Sequence, residues 1–365
     1  MMTQRRPPPT VTLAPTTALR IANEPHQSHG PVAAEIEGLI RVFKDGFVER
    51  PPIVPCVSSS LSHRVGVVSQ DTMIDRFTDV WARFYVPALQ GRPCSKFSKL
   101  PLVVYFHGGG FCVGSAAWSC YHEFLARLAL KANVCIASVN YRLAPENRLP
   151  AAYEDGFLVL KWLKQQALLS RSSPEQCWRG RCDFSRVFLG GDSAGANIAH
   201  NLGARLASSN GFEAMSMRPL GFMGTILVQP FFGGEERTGS EKNMVQPSRS
   251  PLSLATADTY WRLALPTGAD RDHYWCNPVM AYGKGSKLED TMLFPTLVCI
   301  SEKDILLDRN LMFCRVLAEA GKMVEHVVYE GVGHAFQVLS KSDISQSRRE
   351  EMISHIRSFI SRQSI

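Results

Sequence analysis

Six short, almost uninterrupted apolar runs, each followed by a longer polar or helical stretch, constrain this chain more than any other feature. They are Leu102–Phe106, Val134–Val139, Val187–Leu189, Gly224–Val228, Thr296–Ile300 and Val324–Tyr329. A strand that is apolar on both faces belongs inside a sheet covered on both sides, and alternation with helices makes that sheet parallel. The segments between the runs predict helices around Tyr121–Leu130, Ala152–Gln166 and Ala194–Ala207. A last helix around Ile344–Ile360 gathers Ile353, Ile356, Phe359 and Ile360 on one face. The expected fold is therefore α/β, a doubly wound, mostly parallel central sheet with helices on both faces. In such sheets ligands bind beyond the carboxyl ends of the strands, which is where chemistry is sought.

The remaining segments are arranged around that sheet. Residues 1 to about 32 are rich in Pro, Thr, Gln and His without apolar periodicity, and read as a flexible arm. Residues 33–365 read as one domain. Val32, Ile36, Leu39 and Ile40 recur at helical spacing, after which Ile40–Phe43 and Phe47–Arg50 flank Lys44-Asp45-Gly46 as a hairpin. Val80–Val86 alternates as another early strand. Between Gln229 and Asp290 the rhythm breaks, and the stretch carries an aromatic helix around Tyr260-Trp261-Arg262. This insertion, about 230–290, and the segment of about 33–60 are expected to form a cap over the strand ends.

Several classes of function are disfavoured. No apolar stretch approaches the roughly 20 residues that span a bilayer. The N-terminus runs from Arg5-Arg6 into Pro7-Pro8-Pro9, not into an apolar leader, so the expected compartment is the cytoplasm, with the nucleus as a second. Ten cysteines are scattered without Cys-x-x-Cys spacing, which predicts reduced thiols and no metal site. The net charge of +7 is dispersed, and its tight clusters, Arg5-Arg6 and Arg179-Gly180-Arg181, are not interleaved with aromatics, so no nucleic-acid partner is expected. The glycines from Gly108 to Gly114 resemble a dinucleotide loop, but Val113 stands where that fingerprint needs glycine. No cofactor is expected.

The chemistry that does fit is acyl transfer, which needs a nucleophile, a base, a carboxylate to orient the base, and donors for an oxyanion. Ser193 lies in Gly191-Asp192-Ser193-Ala194-Gly195 directly after an apolar run, where a tight strand-to-helix turn exposes the hydroxyl. Ala194 opens the following helix and offers a backbone N–H. His107-Gly108-Gly109-Gly110 ends the run Leu102–Phe106, and Gly108 and Gly109 are the other two expected donors. Of ten histidines, His334 in Gly333-His334-Ala335-Phe336 follows the last strand and comes after the serine in chain order, as this arrangement demands. His122, His200, His326 and His355 sit on helices or in a strand and read as packing or surface residues. Asp304, on the loop after Thr296–Ile300, is the expected acid, with Glu302 and Asp308 as competitors.

Those motifs, with Tyr141-Arg142-Leu143-Ala144-Pro145-Glu146 and Glu302-Lys303-Asp304, resemble the plant carboxylesterases of the hormone-sensitive-lipase-like group of α/β-hydrolases. The resemblance runs from about Val32 to the C-terminus. It implies an α/β-hydrolase fold, a triad of Ser193, Asp304 and His334, and a largely N-terminal cap over the acyl pocket. It also implies a soluble enzyme, a monomer or weak homodimer, that hydrolyses small to medium acyl esters, plant metabolites or xenobiotics, with no membrane partner. The charges of the Tyr141–Glu146 segment are expected to brace the turn after the second run. Two alternatives belong to the same resemblance. Gibberellin receptors share the fold but lack the histidine that His334 supplies here. A lyase or dehydratase acting on a plant secondary metabolite would keep the base and the oxyanion hole; 2-hydroxyisoflavanone dehydratases carry threonine where Ser193 stands.

Overall fold

A computed structural model describes residues 29–60, 66–88, 99–169, 177–208, 211–247, 250–283 and 292–363. Most of the expected N-terminal arm, residues 1–28 with Arg5-Arg6, therefore lies outside the described residues, as does Cys94. Among the described residues eleven strands form two sheets. The small one holds β1 (Val32–Ile36), β2 (Ile40–Phe43) and β3 (Val48–Glu49), all antiparallel. The large one holds β4 (Val67–Asp75), β5 (Val80–Pro87), β6 (Leu100–Phe106), β7 (Cys135–Asn140), β8 (Cys182–Asp192), β9 (Phe222–Val228), β10 (Thr296–Lys303) and β11 (Val324–Gly333).

The large sheet runs β11-β10-β9-β8-β6-β7-β5-β4. From β11 to β7 neighbours are parallel, and β5 and β4 add an antiparallel edge. The apolar runs are continuous because alternate residues feed two cores. Leu102, Val104 and Phe106 of β6 join one cluster with Leu163, Leu202 and Phe313, while Val103 and Tyr105 join another with Phe124, Met352 and Phe359. Helices Ala151–Leu168, Ala194–Ala207 and Leu307–Glu319 thus cover one face, and Ser119–Ala132 and Asp343–Gln363 the other. The order reverses beside β6: the chain leaves it for β7 on one side and returns to β8 on the other. A crevice opens at such a switch point, outside the carboxyl ends of β6 and β8.

One local expectation is overturned. Val32, Ile36, Leu39 and Ile40 do not form a helix; they lie on β1, the turn after it and β2. Gly38, at φ +72°, lets Leu39 N–H donate to Ile36 O at 2.9 Å, and the tight turn folds β1 back onto β2. The expected hairpin around Lys44-Asp45-Gly46 forms as read, with Phe43 N–H donating to Phe47 O. β8 begins five residues before its apolar run because Asp183, Ser185 and Arg186 interrupt the pattern.

The Tyr141–Glu146 turn is braced by charge, as the resemblance led us to expect. Arg142 reaches the buried Asp155 through its guanidinium at 2.6 and 2.9 Å and through its own backbone N–H at 2.8 Å. Arg50, from the N-terminal segment, binds both carboxylate oxygens of Glu146 and also donates to the carbonyls of Cys112 and Ala144. The cysteines described are free thiols. No helix among the described residues is long and apolar enough to cross a membrane.

Candidate active site

The switch-point crevice is where the expected residues meet. Ser193 caps β8 with φ +52° and ψ −119°, a backbone conformation that costs a non-glycine residue of order 1–3 kcal/mol unless its surroundings hold it. Two hydrogen bonds do so: Ser193 N–H to Val228 O at 2.8 Å, and Phe231 N–H to Ser193 O at 3.0 Å. The flanking glycines are steric necessities. A Cβ on Gly195 would lie 1.9 Å from Phe106 O, and one on Gly191 would lie 2.4 Å from Gly195 C and O.

His334 follows β11 and Asp304 follows β10. His334 Nε2 lies 2.9 Å from Ser193 Oγ, and its Nδ1 lies 2.6 Å from Asp304 Oδ2. A carboxylate only accepts, so the imidazole proton sits on Nδ1 and Nε2 is left to accept the serine O–H. The other oxygen, Asp304 Oδ1, accepts from Leu306 N–H at 3.0 Å. All three side chains are buried. The competing acids are engaged elsewhere: Asp308 accepts from Ser240 N–H at 2.6 Å and Glu302 from Gly331 N–H at 2.7 Å. Of the other histidines, His200 is wedged edge-on between Phe232 and Phe313, and burial lowers its pKa to about 4. His122 sits by Arg83 and Tyr85, and His355 by the Tyr329 hydroxyl.

The oxyanion loop requires a correction. Gly108, expected to be a donor, already gives its N–H to Tyr121 Oη at 2.8 Å. At the loop and the serine turn, the amides of Gly109, Gly110 and Ala194 have no acceptor among the described residues. Ala194 is free because the first turn of a helix has no intrahelical acceptor for its N–H groups. Gly109 (φ +116°) and Gly110 (φ +58°) allow the turn that leaves their amides free. A Cβ at Gly109 would sit 2.0 Å from Val113 O, and at Gly110 2.2 Å from Tyr260 Cγ. His107 braces this loop from behind: its ring stacks on Tyr141 at 4.3 Å, and its Nδ1–H donates to Gly108 O at 2.8 Å. Burial lowers its pKa to about 4, so it is neutral.

Sequence reasoning missed several supporting residues. Gln229, directly after β9, accepts from Ala335 N–H at 2.7 Å and donates to Ser301 Oγ at 2.6 Å, fixing the loop that carries His334. A polar residue at the end of an apolar run was its one signal. Asp192, beside the serine, accepts from Tyr105 Oη on Oδ1 and Tyr121 Oη on Oδ2, both at 2.9 Å. Burial raises its pKa to about 6, against the two hydroxyls and nearby His334, which lower it.

Ser193 and His334 open onto a cavity of about 110 Å³. Its walls are apolar and include Leu39 and Ile53 from the N-terminal segment, Leu252 and Tyr260 from the insertion, and Trp118 and Phe231. No lysine or arginine among the described residues lines it. A wider cleft of about 400 Å³ by Tyr153, His200 and Trp275 contains none of Ser193, His334, Asp304 or the oxyanion loop. The arrangement is that of a serine acyl-transfer site.

A family model of the alpha/beta hydrolase fold matches residues 103–338, and the chain belongs to that family. It is 48% identical over 332 residues to a probable carboxylesterase 6 of Arabidopsis thaliana, covering 91% of this chain and 92% of that one. Its place in the family is thus among the plant carboxylesterases of the hormone-sensitive-lipase-like group. It is also 34% identical to the gibberellin receptor GID1C of Arabidopsis thaliana, over 80% of this chain and 81% of the receptor. An esterase of Pyrobaculum calidifontis shares the fold with a TM-score of 0.63 and 24% identity, over 81% of this chain and 85% of that one.

Proposed function

We propose that Ser193, His334 and Asp304 hydrolyse small, uncharged carboxylic esters through an acyl-enzyme. The observation that carries this reading is the continuous contact Ser193 Oγ to His334 Nε2 to His334 Nδ1 to Asp304 Oδ2, at 2.9 and 2.6 Å. Ser193 Oγ attacks the ester carbonyl while His334 takes its proton, and Asp304 stabilises the imidazolium without taking a proton itself. The tetrahedral oxyanion is held by the amides of Gly109, Gly110 and Ala194. Collapse expels the alcohol, which receives the proton from His334. Water then repeats the sequence on the acyl-serine and releases the acid.

The small, apolar cavity without a cation favours compact neutral esters, because a carboxylate buried there would have no partner for its charge. Leu39, Ile53, Leu252 and Tyr260 on its walls support a cap made from the 33–60 and 230–290 segments. The histidine hydrogen-bonded to the serine favours turnover over hormone binding alone.

The test is reaction with an aryl organophosphonate followed by intact-mass and peptide analysis, alongside kcat/KM for phenyl acetate and for phenyl hydrogen succinate. One adduct on Ser193 and a strong preference for the uncharged ester are expected. No adduct and no turnover would overturn the reading. Gly109→Ala should lower kcat by about 10²- to 10³-fold, because the Cβ clash with Val113 O moves a donor amide.

A further inference from the structure

Asp192 and Tyr121 are buried polar groups that the acyl-transfer sequence does not use, yet they join its two halves. The Tyr121 hydroxyl accepts from Gly108 N–H at 2.8 Å and donates to Asp192 Oδ2 at 2.9 Å. Gly108 begins the oxyanion loop after β6, Asp192 is the residue before Ser193 at the end of β8, and Tyr121 comes from the helix Ser119–Ala132. One hydroxyl therefore spans the switch point. The close approach depends on glycine: a Cβ on Gly108 would lie 2.8 Å from Asp192 Oδ2 and 3.1 Å from Tyr121 Oη. Tyr105 binds the same carboxylate, through Oδ1, but does not touch the loop through its hydroxyl.

We propose that Tyr121 is a positioning residue for acyl transfer, its hydroxyl tying the Gly108 amide to the Asp192 carboxylate so that the loop amides and Ser193 keep one fixed separation. The proposal rests on the serine-hydrolase reading above. Three properties suit the hydroxyl to this task. It accepts and donates at once, so both neighbours are satisfied by a single rigid group. It is enclosed in protein, where such bonds are strong and an unpaired partner is costly. It also reads the charge of Asp192: an ionised carboxylate accepts the tyrosine proton, whereas a protonated one competes with it as a donor. The groups facing Asp192 are Tyr105 from β6, the Gly108 backbone amide, Tyr121 from its helix and His334 from the loop after β11, with Cys120 and Tyr141 feeling its charge from further off.

The experiment compares Tyr121→Phe with Tyr105→Phe in the full chain, using phenyl acetate and the aryl organophosphonate across pH 5–9. Tyr121→Phe is expected to lower kcat by about 10²-fold with KM little changed, the effect of a reacting centre misplaced by about 1 Å. Tyr105→Phe should stay within about tenfold of wild type, the cost of one hydrogen bond. Both changes remove a donor that favours the ionised Asp192, so the acid limb of kcat/KM should move to higher pH in each. Asp192→Asn, which keeps the shape but cannot ionise, should remove the Asp192 contribution to that limb. It carries the test if Tyr121→Phe does not fold. Equal kcat losses in the two tyrosine variants, an unchanged kcat in Tyr121→Phe, or an acid limb unmoved in every variant would overturn the proposal. A wild-type protein that takes no phosphonate on Ser193 marks instead the failure of the hydrolase reading.

Discussion

Ser193→Ala is expected to reduce kcat by about 10⁶-fold, the loss typical of removing the nucleophile from a unit whose members act together. The size follows from what alanine leaves behind. Gly109, Gly110, Ala194, His334 and Asp304 all remain, yet none can form the acyl intermediate, so only the modest acceleration from bound-state electrostatics survives. The fold should be indifferent. Ser193 Oγ makes one hydrogen bond, to His334 Nε2, and the turn is held by backbone bonds to Val228 and Phe231 that alanine keeps. Alanine at φ +52° is no more strained than serine. The variant should therefore melt within a few degrees of wild type, still bind a neutral ester, and form no phosphonate adduct. Full activity in a correctly folded Ser193→Ala would remove Ser193 from the mechanism.

How much of this was legible in the chain depended on whether a signal was local. β6, β7, β9 and β10 were readable because both of their faces are buried, so the apolar run is uninterrupted and cannot be confused with an amphipathic helix. β1 was misread for the opposite reason. Its apolar positions fit a helix as well as a strand, and the deciding residue, Gly38, acts through a turn and not through periodicity. Ser193, Asp304 and His334 could be expected to meet because each directly follows a strand of the parallel sheet, and the fold brings parallel strand ends together. Of the expected donor amides, only that of Gly108 was misjudged, because it is already hydrogen-bonded. Three successive glycines show that amides are exposed but not which amide is already taken, and the group that takes Gly108 comes from Tyr121, in a helix after the loop. The roles of Gln229 and Arg50 were hidden for the same reason: each acts on a loop distant in sequence.

Asp304→Asn is isosteric and should lower kcat by about 10⁴-fold while leaving the protein folded, because it changes one proton and no shape. The asparagine carbonyl can keep the Leu306 N–H bond now made by Oδ1 at 3.0 Å. Its amide nitrogen then faces His334 Nδ1, 2.6 Å from where Oδ2 stands. An amide donates where the carboxylate accepted, so Nδ1 must become the acceptor and the ring proton moves to Nε2. That nitrogen lies 2.9 Å from Ser193 Oγ and, once protonated, cannot take the serine proton. The imidazolium formed in any residual turnover also loses its counter-charge. Asp308→Asn, by contrast, should leave kcat near wild type, since that carboxylate serves the backbone of Ser240 and not His334. Steady-state kinetics on phenyl acetate at pH 8, with melting curves as the control for folding, separate the two. A small loss in Asp304→Asn together with a large one in Asp308→Asn would reassign the acid and, with it, the tautomer on which the base depends.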